Sequence, residues 1–137
     1  MYFGLSLPGR GPLVKPDLLL KLAQAADRLR YASLFVPDHV VFPATVRSAY
    51  PYDSSGQFPG GVQQDCLEPL TLLSHLALAT KKIRLGTSVL VIPYRNPVVT
   101  AKTLATLDFL SGGRVILGAG VGWLKEEFVA VGAPPFE

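Results

Sequence analysis

Short apolar runs alternate along the chain with longer stretches in which apolar residues recur every three or four positions. The runs predict buried strands at residues 2–7, 33–37, 83–92 and 114–120. The longer stretches predict helices that begin at Pro16, Glu68, Asn96 and Trp123. Because the runs are apolar throughout, we expect a parallel sheet that is covered on both faces. The α/β order fits either a doubly wound open sheet or part of a closed (β/α)8 barrel.

Local signals place the ends of the helices. Pro16 suits a first helical turn because that turn needs no N–H from it, and Asp17 complements the helix dipole there. Asn96 is expected to cap a helix whose first residue is Pro97. Gly112 is expected to end the same helix in the left-handed conformation.

Residues 38–68 interrupt the alternation of strands and helices. An irregular segment of this length inside a compact domain is usually functional or disordered. Its aromatic residues favour an ordered lid or binding loop. They are Phe42, Tyr50, Tyr52 and Phe58.

Composition narrows the class of protein. The chain is 49% apolar and 17% charged, which excludes disorder for most of its length. Its net charge of +3 comes without a basic run longer than residues 81–84, so no nucleic-acid partner is expected. One cysteine, Cys66, and two histidines predict no disulfide and no metal site. With no long apolar stretch and no signal-peptide pattern, we expect a cytoplasmic protein without a membrane span.

Candidate chemistry lies where the strands end, because both architectures gather their sites at that edge of the sheet. The second strand ends in Asp38 and His39, which could present a proton donor or acceptor to a cofactor ring. The structural alternative is that Asp38 caps a turn and His39 only packs. His75, in the middle of a leucine-rich helix, is expected to be structural.

The third and fourth strands end in small residues. Thr87 and Ser88 place hydroxyl groups in an apolar strand, where they could bond a ligand or support a bulge without one. Glycines at 118, 120 and 122 let backbone N–H groups approach a ring or a phosphate, although G-x-G-x-G is not the dinucleotide fingerprint. The first βα turn contains Pro8 and Pro12, which lack the N–H donors that a phosphate loop uses.

Three stretches, in order, resemble one known family. They are SLFVPDH at 33–39, IRLGTSVLVIPYRNP at 83–97 and LDFLSGGRVILGAGVGWLKEEF at 107–128. Together they resemble the luciferase-like monooxygenases, and within these the branch that uses the deazaflavin coenzyme F-420. The resemblance implies a (β/α)8 TIM-type barrel and two-electron redox chemistry, either hydride transfer or monooxygenation, on a small-molecule substrate. FMN is the alternative cofactor.

The resemblance also assigns roles to residues. It places Asp38 and His39 beside the cofactor ring, with His39 as the catalytic acid or base. It assigns Thr87, Ser88 and Val89 to a bulged strand end behind the ring, often with a cis peptide between Ser88 and Val89. It assigns Gly120, Val121 and Gly122 to a loop that lines the cofactor.

The chain departs from the family pattern in three respects. Trp123 stands where sugar-phosphate dehydrogenases of the family carry a glutamate as second proton donor, and Arg30 stands where many relatives have glycine. A (β/α)8 barrel needs about 250 residues, so residues 1–137 supply only about the first four βα units. The phosphate site of such barrels is expected on later strands.

The length leaves three origins open: a fragment, a truncated reading frame or a half-barrel that completes itself by dimerising. A non-catalytic remnant or interaction module is the alternative to an enzyme. Because strands at an open edge pair with other chains, we expect self-association into a homo-oligomer.

Overall fold

A computed structural model describes residues 1–59, 61 and 64–134. In chain order its elements are β1 (Gly4–Ser6), α1 (Pro16–Arg28), β2 (Ser33–Val36), α2 (Pro69–Ala79), β3 (Arg84–Thr87), β4 (Leu90–Val91), a 3-10 helix (Ile92–Tyr94), α3 (Pro97–Ser111), β5 (Val115–Ile116), β6 (Ala119–Gly120) and α4 (Lys125–Ala130).

Four parallel strands form one sheet in the order β1-β2-β3-β5, and β4 and β6 form a separate parallel pair. Sequential order with right-handed crossovers places every connecting helix on the same face of the sheet. This arrangement is that of a barrel wall and not of a doubly wound sheet. The expected (β/α)8-type architecture is therefore confirmed for the first four βα units.

The core lies between one face of the sheet and the helices. Leu5, Leu34, Leu85 and Val115 are neighbours across the four strands and pack into the same apolar cluster as residues of α1, α2 and α3. On the opposite face of the sheet, the residues that are neighbours across the four strands are Ser6, Phe35, Gly86 and Ile116. Helices α1, α2 and α3 all pack against the first face. The expectation of a sheet covered on both faces stays a prediction for the other face.

Two predicted strands are each divided in two. Residues 83–92 form β3 and β4, separated by Ser88 and Val89, whose peptide bond is cis as the resemblance implies. Residues 114–120 form β5 and β6, separated at Gly118. A Cβ atom at Gly118 would collide with the Thr87 carbonyl oxygen, so only glycine allows the two strands to approach this closely.

The helix ends follow the local signals. The Asn96 side chain accepts hydrogen bonds from the backbone N–H groups of Val98 and Val99, and Pro97 is the first residue of α3. Gly112 closes α3 with φ 74°. Arg30, two residues beyond α1, has φ 62°, a conformation that favours glycine.

None of the helices within the described ranges is long and apolar enough to cross a membrane.

Candidate functional site

The carboxyl ends of β2, β3, β4 and β6 surround a cavity of about 400 Å³. Every predicted site residue except Thr87 lines it. The lining residues from the strand ends are Asp38, His39, Ser88, Val89, Gly120, Val121 and Gly122, and Arg10, Pro37, Tyr50, Tyr52, Phe58, Val91, Tyr94, Ala119 and Trp123 complete the wall. Residues predicted from separate strands are therefore brought together.

Thr87 lies behind the cavity. Its side chain is buried, and its hydroxyl donates to the Gly118 carbonyl oxygen at 2.9 Å and accepts from the Gly118 N–H at 3.2 Å. This contact holds β3 against the segment between β5 and β6. The structure thus places Thr87 where it supports the strand break, and its proposed contact with a cofactor remains a prediction.

His39 is held by Glu127, a residue that the sequence reasoning did not single out. The Nδ1 atom of His39 lies 2.8 Å from the Glu127 carboxylate, which is completely buried. The same carboxylate accepts hydrogen bonds from the backbone N–H groups of Val40, at 2.6 Å, and Val41, at 3.1 Å. Burial alone would raise the pKa of Glu127, but the bonds to His39, Val40 and Val41 and the charge of His39 lower it below its usual value.

Asp38 forms a salt bridge with Arg95. Its two carboxylate oxygens lie 2.6 and 2.8 Å from the two terminal nitrogens of the guanidinium, and one of them also accepts the Val91 N–H at 2.8 Å. Arg95 also reaches Glu68 at 3.2 Å. Although burial lowers the pKa of Arg95, its bonds to Asp38 and Glu68 raise it overall. Asp38 therefore connects the ends of β2 and β4 at the cavity, and its proposed contact with a cofactor stays a prediction.

Three aromatic rings that pack together form one wall of the cavity, which we call the aromatic wall: Tyr50, Phe58 and Trp123. Phe42 lies 4.4 Å and Phe58 5.4 Å from the His39 ring, measured between ring centroids. Trp123 packs against Tyr50 at 5.1 Å and against Phe58 at 5.5 Å. Phe42 and Phe58, both from the 38–68 loop, thus pack against His39. The role of this loop as a lid or binding loop stays a prediction. Residues 60, 62 and 63 of that loop lie outside the described residues.

Glu126 attaches a second part of the loop to α4. Its carboxylate accepts from the backbone N–H groups of Arg47, at 2.7 Å, and Ser48, at 3.1 Å, and from the Ser48 hydroxyl at 2.7 Å. The bond from the Ser48 hydroxyl contributes most to lowering the Glu126 pKa from 4.5 to about 2. Consecutive glutamates of α4 thus hold the loop at two places.

Arg10 is the cationic side chain in the cavity wall. Its guanidinium lies 4.2 Å from the centre of the Phe58 ring and donates to the Pro59 carbonyl oxygen at 2.9 Å. Both Arg10 and Arg95 are therefore engaged by protein groups. Over the described ranges, the wall presents no cluster of cationic groups that could hold a phosphate.

The remaining candidates lie away from this chemistry. Burial raises the pKa of the Cys66 thiol, which points to the His39 carbonyl oxygen at 3.5 Å. His75 is exposed on α2 and does not line the cavity. The described residues contain no group of His, Cys, Asp and Glu side chains placed to hold a metal ion.

The sequence model of the luciferase-like monooxygenases matches residues 1–137. An uncharacterized protein of Mycobacterium tuberculosis is 33% identical over 98% of this chain, which covers 47% of that relative. The FMNH(2)-dependent dimethylsulfone monooxygenase of Pseudomonas putida is 37% identical over 66% of this chain, and the match spans 25% of that enzyme.

Among solved structures, the coenzyme F420 dependent tetrahydromethanopterin reductase of Methanopyrus kandleri superposes with a TM-score of 0.67 and is 28% identical. The superposition covers 97% of this chain and 30% of the reductase chain. The chain thus spans about half the length of the first curated relatives that it matches, and less of the others.

Proposed function

This chain belongs to the luciferase-like monooxygenase family, and on that premise we propose that it forms the ring-binding half of a flavin- or deazaflavin-dependent oxidoreductase. The reaction is a hydride transfer or a monooxygenation on a small organic molecule. When bound, the cofactor supplies the two-electron redox chemistry. The chain supplies a surface for the ring and His39 as the group that gives or takes a proton.

The observation that carries this proposal is the cavity at the strand ends with His39 in its wall. Its volume of about 400 Å³ lies within the range of small-molecule sites. Val89 is 41% exposed and offers apolar surface beside Gly120, where a side chain would collide with Val89. These residues fit an uncharged, flat ring. Among the described lining residues there is no cluster of cationic groups for a phosphate.

Coenzyme F-420 is the cofactor that we propose, and FMN is the second candidate. The F-420 assignment is supported by the likeness to an F420-dependent reductase over 97% of the chain. FMN is supported by the higher identity to a monooxygenase that uses FMNH(2), over a shorter part of the chain. The cavity wall distinguishes them poorly, because both cofactors present a similar three-ring system to it.

The substrate that fits this wall is largely apolar. The aromatic wall offers ring faces, and the Asp38 carboxylate is paired with Arg95. Arg10 contacts the Phe58 ring and the Pro59 carbonyl oxygen and keeps its positive charge. Trp123 occupies the position of the second proton donor of sugar-phosphate dehydrogenases, which favours a different substrate class.

Titration with matched ligands tests the ring-binding proposal. We expect residues 1–137 to bind riboflavin and FMN weakly and with equal affinity, because only the ring is held. Charge-assisted bonds to a phosphate contribute about 1.5–3 kcal/mol each, so FMN more than tenfold tighter than riboflavin would show that a phosphate site is present. A deazaflavin with and without its phosphate forms the second matched pair. Flavin fluorescence and absorbance report the binding.

A pair of substitutions makes the titration specific to the cavity. Val89→Asp places a charge on the proposed ring surface and should abolish binding of both ligands. Val129→Asp introduces the same charge on α4 at a side chain that is 74% exposed and does not line the cavity, so binding should persist. No binding of any ring by the unmodified chain would favour the non-catalytic remnant or interaction module. Multiple-turnover redox activity of the chain alone would contradict the half-site proposal.

A further inference from the structure

We propose that Glu127 is the positioning residue for His39 and decides which nitrogen of the imidazole ring faces the cavity with a free lone pair. This deepens the proposed function, since the catalytic task of His39 rests on it. The contact itself, and the protonation pattern that follows from it, can be measured without cofactor or substrate.

The Glu127 carboxylate is buried and accepts hydrogen bonds at both of its oxygen atoms. Its Oε2 atom bonds to His39 Nδ1 at 2.8 Å, and its Oε1 atom accepts the N–H groups of Val40 and Val41. Burial raises the pKa of Tyr94 well above its usual value, and the nearby charge of Glu127 raises it further. An ionised carboxylate offers about four acceptor sites, and the three donors from His39, Val40 and Val41 occupy most of them.

A carboxylate that only accepts hydrogen bonds requires a donor at His39 Nδ1. In the neutral imidazole one nitrogen carries the proton and the other is an acceptor. Glu127 therefore selects the form with the proton on Nδ1, which leaves Nε2 as the basic nitrogen. Since His39 lines the cavity, Nε2 is the atom through which it can take or give a proton.

The same carboxylate also fixes the backbone that carries the ring. The bonds to Val40 and Val41 hold the two residues directly after His39 against α4. The Glu127 carboxylate thus holds both the His39 ring and the backbone that follows it, which reduces the freedom of His39 to rotate away from the cavity. Because Glu127 is 88 residues away in sequence, the histidine is positioned only when α4 packs against the strand ends.

Glu126 provides a matched control on the same helix. It is also a glutamate of α4 that accepts backbone N–H groups from the 38–68 loop, but it bonds to Arg47 and Ser48 and not to His39. A purely structural role in holding the loop would be shared by both glutamates. Only the substitution of Glu127 should change the protonation pattern of the His39 ring.

The decisive measurement is the 15N NMR spectrum of the His39 ring, at a pH where the ring is neutral. We expect Nδ1–H to exceed Nε2–H by at least about tenfold, as a charge-assisted bond implies. In Glu127→Gln the amide has one acceptor oxygen for several donors, and its NH2 group can donate to a bare Nδ1, so the Nε2–H form should grow. Glu126→Gln should leave the ring spectrum unchanged.

Tyr94→Phe removes a hydroxyl group that interacts electrostatically with Glu127 but leaves the negative charge of the carboxylate, so the Nδ1–H form should persist there. A wild-type ring protonated mainly on Nε2 overturns the proposal, and this result does not depend on whether any variant folds. A ring spectrum that is the same in Glu127→Gln and wild type also overturns it. If the ring behaves as expected and no flavin or deazaflavin binds, the positioning role stands and the proposed redox function fails.

Discussion

His39 is the residue on which proton transfer should depend. It lines the cavity and is held at Nδ1, whereas His75 is exposed on α2. Loss of a positioned general acid or base typically lowers turnover by about 10²–10⁴-fold. We expect His39→Ala to have an effect of that size in a preparation with cofactor-dependent turnover, while His75→Ala leaves the rate nearly unchanged. Equal rates for wild type and His39→Ala would reject the assignment.

The backbone conformation of Arg30 destabilises the folded chain. Its φ of 62° is left-handed, where a side chain costs about 1–2 kcal/mol. Arg30→Gly removes that cost but adds about 0.4–1 kcal/mol of chain entropy to the unfolded state, so we expect a net stabilisation of roughly 0.5–1 kcal/mol. Urea unfolding measures it.

Gly112 is the natural control for that substitution. It has φ 74° at the end of α3, and an added Cβ atom would meet open space. A substitution there therefore introduces backbone strain and no steric clash. Gly112→Ala should therefore destabilise the protein, in the opposite direction to Arg30→Gly. Two changes of the same sign would contradict the conformational explanation.

At the scale of elements, the attachment of the loop to α4 should depend on pH through Glu126. Its pKa is about 2 in the folded chain against 4.5 normally, so the stabilisation is complete above about pH 4.5 and is lost as the pH falls towards 2. Trp123 is the single tryptophan and contacts Tyr50 on this loop, so its fluorescence should report the release.

Glu126→Gln separates this attachment from other acid titrations. The amide is uncharged at every pH, so the variant should lack the part of the fluorescence change that Glu126 causes. Identical fluorescence curves for wild type and Glu126→Gln between pH 5 and pH 2 would show that Glu126 does not control the loop.

At the scale of the whole molecule, the described sheet ends in two unpaired strands, β1 and β5. Apolar side chains are also exposed on α3, where Phe109 is 84% and Leu110 is 71% accessible. Such edges and patches promote association. We expect residues 1–137 to self-associate in sedimentation velocity experiments, and we expect Phe109→Lys combined with Leu110→Lys to raise the monomer fraction. A stable, monodisperse monomer of the unmodified chain would contradict this.

The sequence determined the elements and most of the cavity lining. Apolar runs and caps such as Asn96 and Gly112 act over a few residues, so their consequences can be predicted locally. The carboxyl ends of parallel strands meet at one edge, which is why Asp38, His39, Ser88 and Gly120 were predicted to share a site and do line one cavity.

The tertiary structure decided what each of those residues touches. Asp38 lines the cavity and forms a salt bridge with Arg95, and Thr87 is bound to Gly118, because a buried polar group must find a partner wherever the fold provides one. The placement of Asp38 beside a cofactor ring stays a prediction. The partner of His39 is Glu127, from the last helix. Nothing in the local pattern around position 127 distinguishes it from Glu126, since their difference arises only when α4 packs across the strand ends and buries one carboxylate against the histidine.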